Sequence, residues 1–420
     1  MKIALISEHA SPLAPLGGTD SGGQNVYVAK ISRQLARFGH QVDVFTRRDS
    51  PHLQPIVPFE NNVHVIHVPA GPERFVPKEE LLPHMDEFAA WITAYCAPPW
   101  ARYDLVHANF FMSGLTALAL KREYGTPFVI TFHALGKVRR LHQGDADAFP
   151  VKRLAIEEEL VARADRIVAE CPQDREDVID LYGADPQRVE VVPCGFDPEE
   201  LGPGRSALRG EFGLDDKDFV VLQLGRLVPR KGIDNVIRAV AELKRGHGID
   251  ARLLVVGGES PEPDPALTPE IGRLSQIARG AGVAGQVIFT GQRPRDRLRD
   301  FYCAADAFVT TPWYEPFGIT PLEAMACGCP VIGSAVGGIR YTVIDSVTGY
   351  LVPPNDPVQL AERLARLHNN PALSRAFGRA GILRVRSAFT WRRVTAQLAR
   401  VYASVINLRG LRRAARMART

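Results

Sequence analysis

No apolar run in the 420-residue chain reaches the ~18 uninterrupted residues that a bilayer-crossing helix needs, so no membrane span is expected. The opening residues MKIALISEHA run into Glu8 and His9, where a secretory leader would carry a small-residue cleavage site; a cytoplasmic, unexported protein is the expectation. Cysteine is scarce and scattered, at Cys96, Cys171, Cys194, Cys303, Cys327 and Cys329. The one close pair, Cys327 and Cys329, has no second pair to complete a zinc site, and a disulfide scaffold is excluded. The thiols read as reduced and mostly buried. An excess of one charge is also missing: 51 Lys and Arg oppose 47 Asp and Glu, and a net charge of +4 gives no footprint for nucleic acid. Internal repeats and low-complexity tracts are absent. A composition 45% hydrophobic and 23% charged is that of ordinary globular domains, two or three at this length.

Two familiar nucleotide signatures are missing as well. The glycine-rich string GGTDSGGQNVYVAK (17–30) is not G-x-G-x-x-G, and it has no Walker lysine followed by Ser or Thr. Neither dinucleotide nor P-loop chemistry is supported. No Asp-x-Asp stands convincingly at a strand end, Asp145-Ala146-Asp147 reading as a surface turn.

What the chain does have is alternation. Val, Ile and Leu-rich runs at 2–7, 41–46, 64–68, 104–108, 127–131, 166–170 and 189–192 are separated by amphipathic stretches of helical length. Such continuous runs suit strands buried on both faces of a parallel sheet. A Pro, Gly and charge-rich passage follows Gly195, after which the pattern resumes at 220–225, 252–258, 286–291, 306–311, 330–334 and 349–354. The fold class is therefore α/β, with two doubly wound domains over 1–200 and 201–385 and a C-terminal segment over 386–420. A helical pattern from about Pro371 to Val405 offers Phe377, Ile382, Val385, Phe389, Val394, Leu398 and Val401 as apolar contacts. The tail beyond carries Arg409, Arg412, Arg413, Arg416 and Arg419 without an acid, which is either a solvated end or a weak contact for anionic lipid or a partner.

Ligands of open parallel sheets sit outside the carboxyl ends of the strands, and four strings fall there. In EPFGITPLE (315–323) two carboxylates stand eight positions apart, and the Pro316-Phe317-Gly318 turn precedes a helix whose free amides suit an anion or a sugar oxygen. Those acids also fit a plain helix cap and a surface charge. In LGRLVPRKG (224–232), Arg226 and Lys231 follow a strand end and can neutralise a diphosphate. Gly22 and Gly23 allow close backbone approach at a helix expected to start near Gly23. His133, ending the strand before ALGKVRR, can orient a substrate hydroxyl or offer it a backbone carbonyl.

Taken together, EPFGITPLEAMACGCPVI (315–332), LGRLVPRKGIDNVIRA (224–239), the glycine string and TFHALGKVRRLHQGDAD (131–147) resemble retaining glycosyltransferases of family 4. The likeness spans Lys2 to about Trp391 and is similar to the branch holding sucrose-phosphate synthases, sucrose synthases and inositol-phosphate N-acetylglucosaminyltransferases. It implies the GT-B fold, two Rossmann-like domains facing across a cleft, with the acceptor on the N-terminal domain, the donor on the C-terminal one, and a last helix crossing back. It implies that Glu315 contacts donor-sugar hydroxyls and Glu323 the ribose, that Arg226 and Lys231 clamp the diphosphate, and that His133 is the active-site histidine. Arg293 resembles the residue beside the base, and Phe317, Gly318, Ile319 and Thr320 the turn that cradles the donor. His9, Asn25, Lys78 and Arg153 fall at the acceptor positions. The implied reaction moves a hexosyl group from a nucleoside diphosphate sugar, UDP-sugar by preference, to a hydroxyl of a small sugar or polyol with retention, needing no protein nucleophile and, with the clamp neutralising the diphosphate, no metal and no further cofactor. A phosphorylated acceptor fits Lys78 and Arg153, although Lys78 beside Glu79, or Arg153 with Glu157, also fits ordinary surface pairing. The inositol-phosphate branch usually carries hydroxyl side chains where this chain has Phe110 and Ala134, which speaks against inositol phosphate and leaves a sucrose-phosphate-synthase-like reaction, or a lipid-linked or polysaccharide acceptor, open. A non-catalytic nucleotide-sugar sensor is the reading from another class.

Overall fold

The computed structural model describes residues 1–14 and 22–417, so Gly17 and Gly18 lie outside the described residues, as do the side chains of the tail arginines. The chain divides into two compact units. The first gathers Met1–Ala14, Gly23–Pro193 and the chain from Trp391; the second gathers Cys194–Thr390 and, of the described residues before it, Gly22.

The first unit is built on eight strands: β1 (Lys2–Ile6), β2 (Gln41–Arg47), β3 (Ile56–Glu60), β4 (Val63–Val68), β5 (Leu105–Asn109), β6 (Phe128–Thr131), β7 (Arg166–Ala169) and β8 (Val189–Val191). They lie in the order β3-β4-β2-β1-β5-β6-β7-β8. Every pairing is parallel except β3 with β4. The central strands are largely apolar because helices cover both faces; in β5 all five residues are buried, His107 and Asn109 among them. Strand β3 was not visible in the sequence. It carries Pro58, it alternates between exposed and half-buried positions, and its register shifts between Pro58 and Glu60, features that only an edge strand tolerates.

Six strands form the second sheet: β9 (Phe219–Leu224), β10 (Ala251–Val256), β11 (Val287–Gly291), β12 (Ala307–Thr310), β13 (Val331–Ser334) and β14 (Gly349–Val352). Their order is β11-β10-β9-β12-β13-β14, all parallel. The helix Ile233–His247 shows why the layers form: Ile233, Val236, Ile237, Val240 and Leu243 recur on one face and are buried, while Gly248, at φ +67°, ends the helix. In each sheet the order reverses once beside the strand that comes first in sequence, between β1 and β5 and between β9 and β12. Chain excursions diverge at such points and leave a crevice at the carboxyl ends.

The helical stretch expected over 371–405 is two helices, Pro371–Ala388 and Trp391–Met417. Phe389 and Thr390 interrupt it because they pair with Phe196, whose amide donates to Phe389 O at 2.8 Å. The terminal helix belongs to the first unit. Trp391 is 1% exposed and meets Tyr27 edge-on at 5.9 Å. Tyr402 brings its hydroxyl to within 2.6 Å of Nδ1 of His107 in β5, whose Nε2 lies 2.9 Å from Thr131 Oγ1. Burial first, then the neighbouring His133, pushes His107 down to about 3.

Folded His107 takes up its proton only near pH 3, whereas the unfolded side chain does so near 6.5, so between those values unfolding is coupled to proton uptake and acid favours it. His107→Gln removes this linkage while leaving an amide for Tyr402 and Thr131. The stability gap between variant and wild type, measured by denaturant titration, is expected to shift by about 2 kcal/mol in the variant's favour from pH 7 to pH 5. A pH-independent gap would contradict the buried neutral assignment.

Candidate active site

The second unit concentrates charge where β9 and β12 end. After Gly225 the chain passes Arg226 and makes a 3-10 turn over Pro229–Lys231 before Gly232 opens the helix Ile233–His247. Gly232 is required here: φ is +66°, and a Cβ would stand 2.0 Å from Thr311 O. Thr311 Oγ1 donates to Gly232 O at 3.0 Å and Trp313 N to Arg230 O at 2.9 Å, stitching the loop after β9 to the loop after β12. That contact delivers the opposed charges. Lys231 Nζ donates to Glu315 Oε2, and Arg230 Nη1 lies 3.8 Å from the same oxygen with its guanidinium over the Tyr314 ring at 5.2 Å.

The balance of charge in this cluster is uneven. Burial pulls Lys231 down, Glu315 pulls it back up, and Arg230 and Arg226 repel its proton, with about 8 as the outcome. Burial alone would raise Glu315, but Lys231, Arg230 and Arg226 outweigh it and hold the carboxyl below its usual value. Three cations thus act on one carboxylate, and a further anion is electrostatically favoured beside it. Arg230 was not singled out from the sequence, since only the turn shows that it faces Glu315 with Lys231.

The helix carrying the second acid, Ile319–Ala326, has no side-chain cap: Gly318 occupies the cap position at φ +84°. The first-turn amides of Ile319 and Thr320 are the kind of donors that suit an anion. Phe317 is 3% exposed and packs on Phe389, so it offers backbone rather than ring. The turn is braced from behind, Gly338 N donating to Glu315 O at 3.1 Å in a place where a Cβ would come within 2.3 Å of Phe317 Cα. Glu323 is 2% exposed and has both oxygens engaged, by Arg295 Nη1 at 2.9 Å and by the Tyr302 hydroxyl at 2.9 Å. Burial and then Glu323 push the Tyr302 hydroxyl far up. Burial works against the Arg295 charge, but Glu323 and Glu200, the latter at 3.0 Å, outweigh it. Neither Arg295 nor Tyr302 was anticipated. The sequence pointed to Arg293, which sits half-buried two residues earlier on the same loop.

In the first unit, His9 follows β1 with Nδ1 2.7 Å from Glu8 Oε1, while Ser113 Oγ donates to the other carboxylate oxygen. The His9 ring meets Phe110 edge-on at 5.0 Å. Phe110 at φ +86° and His133 at φ +57° hold bulky side chains in the left-handed region just past β5 and β6, a strain that clusters at functional sites. His133 stands two residues beyond the end of its strand and not on it. Its Nδ1 lies 3.0 Å from Glu170 Oε1 and its Nε2 3.1 Å from Asn109 Oδ1. Gly23 starts the helix Gly23–Arg37 after Gly22, and Gln24 reaches back to Ser7 Oγ and Asn109 O, both at 3.2 Å. Asn25 is buried and donates to Ser11 O at 2.9 Å, so its amide holds the chain after β1. Lys78 opens a short turn, 3.5 Å from Glu79.

Two side chains that the sequence leaves open to a surface reading are enclosed. Arg153 is 1% exposed: Nε donates to Glu157 at 2.7 Å, Nη2 donates to Ala134 O, and the guanidinium lies 4.9, 4.8 and 4.5 Å from the rings of Phe110, Phe111 and Phe149. A helix-surface pair is ruled out, because Phe149 and the β5 end enclose it. Asp147 is no free turn residue either, since Oδ1 accepts from Arg139 Nε at 3.0 Å and Nη2 at 2.7 Å.

Because Lys231 is charged only below about 8, affinity for inorganic pyrophosphate is expected to fall as pH rises through that value. Lys231→Arg should abolish this dependence in calorimetric titrations between pH 7 and 9. An unchanged profile in the variant would place the anion elsewhere.

Residues 204–384 match the family Glycosyl transferases group 1, and residues 21–200 match Glycosyltransferase Family 4. The chain is 40% identical over 410 residues, 96% of each sequence, to D-inositol 3-phosphate glycosyltransferase 1 of Catenulispora acidiphila. It is 41% identical over 378 residues, 87% of this chain and 82% of the relative, to the D-inositol 3-phosphate glycosyltransferase of Acidothermus cellulolyticus. Among solved structures, the sucrose-phosphate synthase of Thermosynechococcus elongatus superposes with a TM-score of 0.88 at 32% identity, covering 97% of this chain and 99% of the other. The Anabaena protein HepE in complex with UDP-glucose shares the fold, with a TM-score of 0.75 at 21% identity over 96% of this chain and all 100% of the other. Among the described residues no helix is long and apolar enough to cross a membrane. Two parallel-sheet α/β units, full-length likeness and both family matches together make the chain a GT-B glycosyltransferase of family 4.

Proposed function

We propose that the enzyme transfers a hexosyl group from a nucleoside diphosphate sugar, with UDP as the favoured nucleotide, to a hydroxyl of a small phosphorylated sugar or polyol, and that the anomeric configuration is retained. The observation that carries this reading is the Lys231–Glu315 pair beside Arg230 and Arg226, at the carboxyl ends of the two strands that flank the reversal in the second sheet. A departing diphosphate gains negative charge as the glycosidic bond breaks, and pre-placed cations lower that barrier more than they aid ground-state binding. Bound diphosphate would draw Lys231 away from Glu315 and release that carboxylate to accept from sugar hydroxyls. The first turn Ile319–Thr320 would add backbone donors, and Glu323, held by Arg295 and Tyr302, would accept from the ribose. The diphosphate oxygen itself would take the acceptor's proton, so no side-chain nucleophile is called upon.

For the acceptor, the names of the relatives and of the best-superposing structure cited above carry a phosphate. In this chain Arg153 Nη1 is buried without a hydrogen-bond partner among the described residues, a donor that a phosphoryl oxygen would satisfy. Phe110 and Ala134 offer no hydroxyl beside it. The acceptor phosphate would therefore depend on cations, Lys78 and Arg153, more than on neutral donors.

Mass spectrometry of products from UDP-glucose, UDP-N-acetylglucosamine, GDP-mannose and ADP-glucose, each offered with D-inositol 3-phosphate and with hexose 6-phosphates, tests the reaction class. One nucleotide sugar is expected to be consumed with formation of a phosphorylated glycoside of unchanged anomeric configuration by NMR. Binding without consumption under every acceptor would establish the sensor instead. Lys231→Ala should depress kcat by about a hundredfold, equivalent to about 2.7 kcal/mol of transition-state stabilisation. Lys78→Ala should raise the acceptor KM about tenfold, the size expected for one charge-assisted contact, at unaltered UDP affinity. A fall in UDP affinity in the Lys78 variant would overturn its placement.

A further inference from the structure

Glu170, the residue that follows β7, is 3% exposed and carries a carboxylate that no sequence motif explains. A carboxylate taken from water is costly unless a partner of opposite charge or a set of donors compensates, and a buried ion pair adds little net stability. Its arrangement points to another purpose. Oε1 lies 3.0 Å from His133 Nδ1, and the Glu170 backbone amide donates to Asp174 Oδ2 at 2.8 Å. Burial, and then the neighbouring Glu170, pushes Asp174 up to about 8.

The other edge of the His133 ring is equally constrained. Asn109 Nδ2 donates to Ile6 O at 3.3 Å and to His107 O at 3.4 Å, both of which can only accept. The Asn109 amide is therefore oriented with Oδ1 toward His133, and at 3.1 Å that oxygen can only accept from Nε2–H. With Nε2 protonated, a proton must also lie between Nδ1 and Glu170, carried by the ring or by the carboxyl. Either way neither ring nitrogen retains a lone pair free to take a proton from a substrate. Tyr27 closes one side of the ring, edge-on at 5.0 Å.

We infer that Glu170 is a positioning residue: together with Asn109 it pins the His133 imidazole at both nitrogens, holds the residue in its left-handed backbone conformation, and so fixes the His133 backbone, whose carbonyl would meet a substrate hydroxyl. The inference rests on the reading of His133 as a residue of the transfer site. A left-handed conformation at a non-glycine residue costs about 1–2 kcal/mol, and a ring tethered at two points supplies the restraint that keeps it populated. The ring then acts as an anchor and not as a base, which agrees with proton transfer to the departing diphosphate.

Four full-length proteins test this: wild type, Glu170→Ala, Glu170→Gln and His133→Ala, assayed with UDP-glucose and D-inositol 3-phosphate or with the pair the product screen shows to be turned over. Glu170→Ala is expected to lower kcat by about a hundredfold, the penalty for a misplaced reacting group, while the KM for the nucleotide sugar stays unchanged. Glu170→Gln is expected to recover kcat to within about fivefold of wild type, because its amide can donate to Nδ1 while Nε2–H stays on Asn109. A crystal structure of Glu170→Ala should show the ring turned away from Asn109. Wild-type kcat in Glu170→Ala alongside a crippled His133→Ala would overturn the inference, as would equal losses in both Glu170 variants with a matching drop in melting temperature. An active His133→Ala would instead remove His133 from the site, and the inference with it.

Discussion

A lysine and a glutamate held together with little access to water, in the company of two further guanidinium groups, set the terms for the second unit. Such a cluster has more positive charge than its one carboxylate neutralises, and its cost falls when an additional anion arrives. The surrounding structure can be understood as what is needed to keep it in place. Gly232 lets one loop press against the carbonyl of Thr311, and Gly338 lets the first turn of the helix Gly337–Thr342 press against Phe317, so that Lys231, Glu315 and the first turn of Ile319–Ala326 are supported by backbone contacts. Groups fixed in this way need little reorganisation when charge develops, which is where catalytic electrostatics gains most over water.

The first unit applies the same economy to different chemistry. Its reversal point, between β1 and β5, carries His9, Glu8 and Phe110, and the next strand delivers His133. Two bulky residues stay in left-handed conformations there because their side chains are over-determined: Phe110 by His9 and Arg153, His133 by Glu170, Asn109 and Tyr27. Beneath them the buried His107 links the sheet to the terminal helix through Tyr402. Strain at the surface of the sheet is thus backed by a tightly paired interior.

Much of this was legible in the sequence because parallel strands buried on both faces leave long apolar runs, and DLVHA or VVLQL can hardly be anything else. The alternation of such runs with helices gave the two doubly wound units, and EPFGITPLE with RLVPRKG gave the principal charges. Strand β3 was hidden because an exposed edge with Pro58 carries no hydrophobic signal. Arg230, Arg295, Tyr302 and Glu170 escaped notice for another reason: each acquires its meaning from a partner between 21 and 85 residues away, which spacing cannot reveal. Arg153, which the sequence leaves open to an acceptor contact or an exposed pair with Glu157, is buried in part by Phe110 and Phe111 from the segment just after β5, and that enclosure has no local signal.

The central claim is that the basic cluster around Lys231 receives the diphosphate of a nucleotide sugar. Crystals soaked in turn with UDP-glucose, GDP-mannose and ADP-glucose address it most directly. The account expects one of the three to bind with its diphosphate in hydrogen-bond contact with Lys231 and Arg226, and with Glu315 transferred from Lys231 to the hydroxyls of the sugar. A nucleotide bound with its diphosphate elsewhere, and the Lys231–Glu315 pair undisturbed, would contradict it.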